Sequence, residues 1–493
     1  MLKTVRQAVM SGDVNLLHKI VDSKADLDTK DPGSGYTALM SAARYGKLEC
    51  LRILINAKAD LNVKLNDGTN ALFEAVRQNH IECVRLLVDA KADLEVKDYN
   101  GDTAVFWVAR KGSAECLRLL VNANADLSAR NCRHLTPLMV ASLVGPDHVQ
   151  RLIDSRAELE TKDYTEATAL MWAAHGGRVE CVNLLLAAKA QIDVKDEAGE
   201  TAFLWAVKAG HADCARLLLH PGAVEARSCE GQTALMRAAA HGRPESVRTL
   251  LDAKVDVDAQ DDYADTALMM AAKVGHTECM QLLIDAKADM NAENSRRGTA
   301  LTCAVSQGYA ECVQLLVDAR ADLEVKLGSS TALACAVVRG LTECAQLLLD
   351  GKADIEATDY YDNTPLNLAA NCGVEECMQL LINAKAVINT RNNFDYTPLI
   401  QASCFGHADC MSLLLNAKAD VEAKDKNDAT ALINAVKSGD RRSIKVMIDA
   451  KADLEAKDRT GLTALSCAVA YHRPKCVQLL LKAKADIEAE DKN

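Results

Sequence analysis

The chain has 493 residues, 49% hydrophobic and 26% charged, with a formal net charge of -12. That balance is the composition of a folded chain rather than a disordered one, and a negative chain lacks the clustered positive surface that nucleic acid requires of its main partner. No run approaches membrane-spanning length, and the opening MLKTVRQAVMSGD carries no apolar segment of a signal peptide.

Aromatic residues make up only 4% of the chain, which predicts an aliphatic core built largely of Leu and Ala. The first 36 residues hold an incomplete repeat unit, AVMSGDVNLLHKIVDSKADLDTKD, read as an N-terminal cap because Lys3, Arg6, Gln7 and Asp13 make it polar. From Thr37 the tripeptide T-A-L or T-P-L sets a register, with variants at Asn70, Thr103 and Thr201. Fourteen starts follow at spacings of 33 residues, with three steps of 32, ending at Thr463. The array therefore covers residues 37–493 without a linker, about 15 units in all with the cap, and length divided by a typical domain size gives the wrong organisation. The last unit keeps its apolar pattern and ends in AKADIEAEDKN, which predicts fraying there or further chain in a longer natural product.

Each unit predicts a turn and two short helices. In 69–101 the first helix is expected from about Ala71 to Gln78 and the second from about Ile81 to Ala90, with Cys83, Val84, Leu86, Leu87 and Val88 on the apolar side. A DxxG turn (Asp98, Gly101) leads onward. Helices this short are marginal alone and hold only when stacked, so the fold class is an all-α solenoid.

The period and the recurring TALMSAARYG, TALMWAAHGG, TALMRAAAHG and TPLNLAANCG, followed by ECLRILI, ECVRLLV or ECMQLLI, resemble the ankyrin repeat over essentially the whole chain. Two departures stand out. The family's TPLH histidine is replaced by Met40, Phe73, Phe106, Met139, Met171, Met236 and Met269, exchanging a polar tie for apolar packing. The family's glycine after the second helix is replaced by Lys24, Lys58, Lys91, Lys189, Lys254, Lys287, Lys352, Lys385, Lys418, Lys451 and Lys484, with Arg156 and Arg320, while Asn124 and Gly222 remain tolerant residues. A left-handed cap costs a residue with a Cβ about 1–2 kcal/mol, and a cation at a helix C-terminus recovers about 0.3–1 kcal/mol. The lysine row reads as a repeated cap rather than a basic ladder, since Asp60, Asp93, Asp289, Asp322 and Asp453 follow two residues later.

Eleven of the 18 cysteines share one slot: Cys50, Cys83, Cys116, Cys181, Cys214, Cys279, Cys312, Cys344, Cys377, Cys410 and Cys476, with Val149, Ser246 and Ile444 taken as its occupants elsewhere. Stacked helices stand roughly 8–10 Å apart, beyond the reach of a disulfide, so these are small, reduced core residues of a cytoplasmic or nuclear chain. Cys404, His407 and Cys410 have metal-like spacing, but Cys410 belongs to the slot and no CxxC accompanies them. No HExxH, phosphate loop or nucleophile elbow occurs, so no cofactor, metal or catalysis is expected.

Function then falls to the varying positions of the first helix. Counted from the motif threonine, residues two, five and six are apolar, as in Leu39, Ala42, Ala43, Leu235, Ala238 and Ala239. Residues four, seven and eight share another face, which the resemblance implies lines a concave binding groove. Along 37–275 that face carries Arg44, Tyr45, Arg77, Trp107, Arg110, Lys111, Trp172, Trp205, Lys208, Arg237 and Lys273, while the later units are less charged. Tryptophan among Arg and Lys is the composition of a hot spot. The expectation is a monomeric scaffold or adaptor gripping an acidic or mixed extended protein segment, with tryptophan packing on its own fold as the competing reading. Hairpin-tip rings (Tyr99, Tyr164, Tyr263, Tyr360, Tyr361, Phe394, Tyr396) form a second candidate surface. The alternatives are a targeting region of a larger enzyme or a passive elastic spacer.

Overall fold

A computed structural model describes residues 2–487 except Gly112, Leu327 and Ser329, with the side chains of residues 2–4 also outside the description. The side chain of Lys3 in the expected cap and the tail 488–493 therefore lie outside the description. The chain divides into two compact parts, Met1–Val255 and Asp256–Asn493. Both are helical, and among the described residues the strand-like features are confined to isolated bridge positions, such as the pair Lys424 and Thr430.

Among those residues are 31 helices, which fall into consecutive pairs apart from the single-turn helix Pro221–Val224. In the first part the pair Ala71–Arg77 and Ile81–Asp89 matches the expectation to within a residue. In the second part Ala267–Val274 and Thr277–Asp285 repeat it. In most units the motif threonine starts the first helix because its hydroxyl accepts an orphan amide: Thr37 Oγ1 takes the N–H of Met40 at 3.2 Å, and Thr430 that of Ile433 at 3.5 Å, while Asn70 Oδ1 does the same for Phe73 at 3.0 Å.

The first helices are buried almost all round. Ala38, Leu39, Met40, Ala42 and Ala43 are all within the core, so the apolar stripe is wider than positions two, five and six. The second helices bury a narrower face, and Cys83, Val84 and Leu87 are buried while Leu86 and Val88 are half-exposed. Alanine at the first-helix contacts removes side-chain bulk and lets neighbouring backbones approach.

The methionines restore part of the tie lost with histidine. Met40 Sδ accepts the Thr37 amide at 3.5 Å, and Met139 and Met236 do the same for Thr136 and Thr233 at 3.4 Å. A thioether is a weak acceptor, but it closes the capping box that pure packing would leave open.

The lysine cap is a complete Schellman turn. Lys91 sits at φ 67°, its amide donates to Val88 O at 2.9 Å, and the amide of Ala92 donates to Leu87 O at 3.0 Å. Ala92 is buried, supplying the apolar contact that accompanies this motif. Gly222 departs from the expectation. Pro221 has no N–H and pushes His220 to an extended φ of -149°, so the second helix stops at Leu218 and Gly222 enters the short helix instead of a left-handed cap.

The aspartates after the cap do not pair with the lysines. Asp93 Oδ1 accepts the amide of Glu95 at 2.9 Å, and Glu95 Oε1 accepts the amide of Asp126 in the next unit at 2.8 Å. The same joint recurs at Glu160–Gln191, and in the second part at Asp258–Asp289, Asn291–Asp322 and Glu422–Asp453. The stretch DAKADLEVKD is thus a helix cap joined to an inter-unit clasp.

The cysteine slot is buried and its thiols are free. Burial pushes Cys83, Cys181, Cys214 and Cys312 up to about 11 and Cys410 up to about 12. The slot in the unit after Thr430 is held by Ser443, one residue before the Ile444 expected, and both are buried.

Candidate functional site

The three tryptophans occupy equivalent places on the helices Ala104–Lys111, Ala169–His175 and Ala202–Ala209. Each is half-buried and tied to the aspartate nine residues earlier. Trp107 Nε1 donates to Asp98 Oδ2 at 3.2 Å, Trp172 to Asp163 at 3.0 Å and Trp205 to Asp196 at 2.8 Å. The other oxygen of Asp98 and Asp163 holds the turn through backbone amides. The competing reading of these rings therefore holds in part, since each has a partner within its own unit. Each tryptophan nonetheless remains partly exposed.

Trp172 and Trp205 meet edge to face with centroids 5.6 Å apart, and His175 stands 5.5 Å from Trp205. Together with Arg133, Leu135, Tyr164, Thr165, Asp163, Asp196, Glu197, Ala198, Glu200 and Lys208 the two indoles line a cavity of about 520 Å³. Trp107 stands apart from that pair: Phe73 packs on it at 5.8 Å and the Arg77 guanidinium lies 4.9 Å over its ring.

The basic strip is largely neutralised from within. Glu74 is fully buried and binds both Arg44 and Arg77 at 3.1 Å. Arg110 pairs with buried Asp102 at 2.7 Å, and Asp102 also accepts from Asn131 Nδ2 at 2.8 Å. Glu200 takes both Lys208, at 3.4 Å, and Arg237. In the second part Lys273 pairs with Asp265. Tyr45 and Lys111 are exposed. Positions four, seven and eight thus differ in depth: position four lies at the base of the face, buried in Ser41, Glu74 and Asn434, and seven and eight rise from it.

These acids were missed in the sequence, although a signal was present. Asp102, Glu200 and Asp265 each stand immediately before the motif threonine and eight residues before the cation they hold. The nine-residue spacing from aspartate to tryptophan is equally regular.

The tip rings Tyr99, Tyr164, Tyr263, Tyr360, Tyr361 and Phe394 are exposed, and Tyr396 is half-exposed. Tyr361, Phe394 and Tyr396 form a contiguous run with centroids 6.3 and 5.9 Å apart. His407 Nε2 lies 3.1 Å from Asn371 O and Cys410 is buried in the slot, so the metal-like run serves packing. Among the described residues no group of three or more His, Cys, Asp or Glu is placed to hold a metal, and no helix is long and apolar enough to cross a membrane.

The family profile described as "Ankyrin repeats (3 copies)" matches residues 5–98, 91–163, 145–226, 170–261, 235–327, 268–359, 333–425 and 399–491. The chain belongs to the ankyrin repeat family. Such repeats are protein–protein interaction modules. A stretch of 61 residues is 34% identical to the mouse "Ankyrin repeat and SAM domain-containing protein 6", covering 12% of this chain and only 7% of that protein's length. The solved structure of the human ASB11 ankyrin repeat domain aligns with a TM-score of 0.41 at 24% identity, over 44% of this chain and 98% of that one.

Proposed function

We propose that the chain is a scaffold or adaptor that binds an extended segment of another protein along the first-helix face of residues 37–255, centred on Trp172 and Trp205. The observation that carries this reading is the pair of pre-tied indoles lining the cavity of about 520 Å³. A ring already held by its own aspartate loses little rotamer freedom on binding, which favours its use as an anchor. The internal pairing of Arg44, Arg77, Arg110, Lys208 and Arg237 favours a segment of mixed charge over an acidic one, because an acidic partner would compete with buried carboxylates already in place. The buried free thiols of the slot support a reducing, cytoplasmic setting.

The test is affinity purification with mass spectrometry on the intact chain and on a Trp172→Asn, Trp205→Asn variant. Asparagine keeps the N–H for the aspartate, as Asn434 does for Asp425 at 3.2 Å, while removing the ring. Loss of the specific partners with an unchanged circular dichroism spectrum supports the reading; retention of all of them by the folded variant removes it.

A further inference from the structure

Tyr99, Tyr164 and Tyr263 stand at hairpin tips whose neighbouring tips carry no Tyr, Phe or Trp, whereas the turns 359–363 and 392–396 follow one another and hold four such rings. There Tyr360 meets Tyr361 at 5.7 Å, and Tyr361 stacks on Phe394 across the unit boundary at 6.3 Å and 30°. Phe394 in turn meets Tyr396 at 5.9 Å. The amide of Asn393 donates to Tyr361 O at 3.0 Å, so the main chain fixes the two tips in register. Burial does not account for these rings, since Tyr360 is 79% exposed, Tyr361 53% and Phe394 50%. A contiguous aromatic surface left in water is the kind of patch that a partner covers.

Charge says what kind of partner. Asp362 and Asp395 directly follow Tyr361 and Phe394, each at φ 57° in its turn. Neither carboxylate has a hydrogen bond or ion pair among the described residues. Asp359 differs, because its Oδ1 takes the amides of Tyr361 and Asn363 and its Oδ2 takes Asn363 Nδ2. The nearby cations are directed at main-chain carbonyls. Lys326 donates to Thr358 O at 3.0 Å, and Arg391 donates to Lys424 O at 2.7 Å and Asp395 O at 3.3 Å. The two tips therefore offer exposed rings and unpaired anions side by side.

We propose that this surface docks an extended, arginine-bearing segment of a partner protein, with guanidinium groups over Tyr361 and Phe394 and paired with Asp362 and Asp395. The chain makes both halves of that contact within itself. Arg77 lies 4.9 Å over the Trp107 ring and Arg44 lies 5.2 Å over Tyr36, and each also pairs with Glu74. A guanidinium suits the place better than an ammonium, because it is flat enough to stack on a ring and forked enough to hold a carboxylate. Stacked units stand roughly 8–10 Å apart, and a polyproline II segment presents the same face every third residue, about 9 Å on. Arginines three residues apart therefore match Asp362 and Asp395 in successive tips. A proline-rich segment would use the rings alone and leave both carboxylates unpaired. This surface lies within Asp256–Asn493 and does not depend on the Trp172–Trp205 reading.

The test follows fluorescence anisotropy of a labelled peptide, Ser-Arg-Ser-Ser-Arg-Ser, titrated with the full chain. Companion peptides carry citrulline, lysine or proline in place of both arginines. Wild type binds the arginine peptide, and the citrulline peptide, which keeps the planar group without its charge, binds at least about tenfold more weakly. The lysine and proline peptides also bind more weakly than arginine. Asp362→Asn with Asp395→Asn keeps the left-handed turns, which asparagine tolerates, and weakens the arginine peptide by a similar factor. Tyr361→Ser with Phe394→Ser does the same at unchanged charge, which separates the site from general attraction to a chain of net charge -12. Citrulline, lysine or proline binding as tightly as arginine, undiminished binding by either folded variant, or no binding of the arginine peptide at about 1 mM would each overturn the proposal.

Discussion

Trp172 Nε1 stands 3.0 Å from Oδ2 of Asp163, an aspartate whose other oxygen already holds the amides of Thr165 and Ala167. The carboxylate therefore serves the turn and the ring at once. Replacing Trp172 by alanine strips one oxygen of its donor inside the fold and is expected to cost about 1–3 kcal/mol from that group alone, beyond the lost packing. Trp172→Asn is expected to recover that part. Urea unfolding of both variants checks the order: wild type, then Asn, then Ala.

The lysine caps carry a removable strain. Lys91 is held at φ 67° and Lys189 at φ 69°, and neither residue makes an ion pair among the described residues. Lys91→Gly is expected to stabilise the chain by about 1 kcal/mol, and Lys91→Gly with Lys189→Gly by nearly the sum, because the two sites are far apart. Midpoints of chemical unfolding measure this, and a fall in the midpoint would show that the cation's interaction with the helix end outweighs the backbone strain.

His241 supplies a pH dependence. Its half-buried ring lies 2.9 Å from Arg237 O through Nδ1, and burial, with Arg237, Lys208 and Arg243 nearby, holds its pKa below the ordinary histidine value. The unfolded chain thus binds this proton more readily than the folded chain. Stability is full above the ordinary value near 6.5 and is lost as pH falls through it. His241→Gln is expected to flatten the decline in Tm between about pH 7.5 and 5.5 relative to wild type. A steeper decline in the variant would reverse the sign assigned here.

The cysteines divide by depth. Cys132, Cys229 and Cys372 are exposed, whereas the slot thiols are buried and Cys83, Cys181 and Cys410 are raised to about 11, 11 and 12. Thiolate is the reactive form, so iodoacetamide at pH 8 is expected to label the exposed three first and to spare the slot until the chain unfolds. Peptide mapping by mass spectrometry resolves the sites.

Fold and period were legible because every unit repeats one solution: the motif threonine, the helix lengths and the Ala-Lys-Ala cap can each be read from residue type and spacing. The surface was harder. Arg110 and Lys208 looked like free cations because the acids beneath them, Asp102 and Glu200, lie in the turn rather than on the same helix. For the tryptophans the sequence left partner binding and packing on their own fold both open, because the hydrogen bond to an aspartate nine residues back crosses from helix to turn, which a helical wheel does not show. Gly222 was misplaced because a proline one residue earlier redirected the chain. Periodicity reports which face an atom is on; it does not report what reaches that face from another segment.

The clasp from Glu95 Oε1 to the amide of Asp126 makes the acceptor the property of the unit before, at a separation of 31 residues. Asp258–Asp289 and Glu422–Asp453 keep the same separation. A gene segment encoding one whole unit can therefore be duplicated or lost and the flanking chains still meet a matching acceptor, while a cut inside the unit leaves an amide facing the wrong residue. Copy number is the quantity this joint leaves free to drift, and the reading frame of the repeat is the quantity it polices.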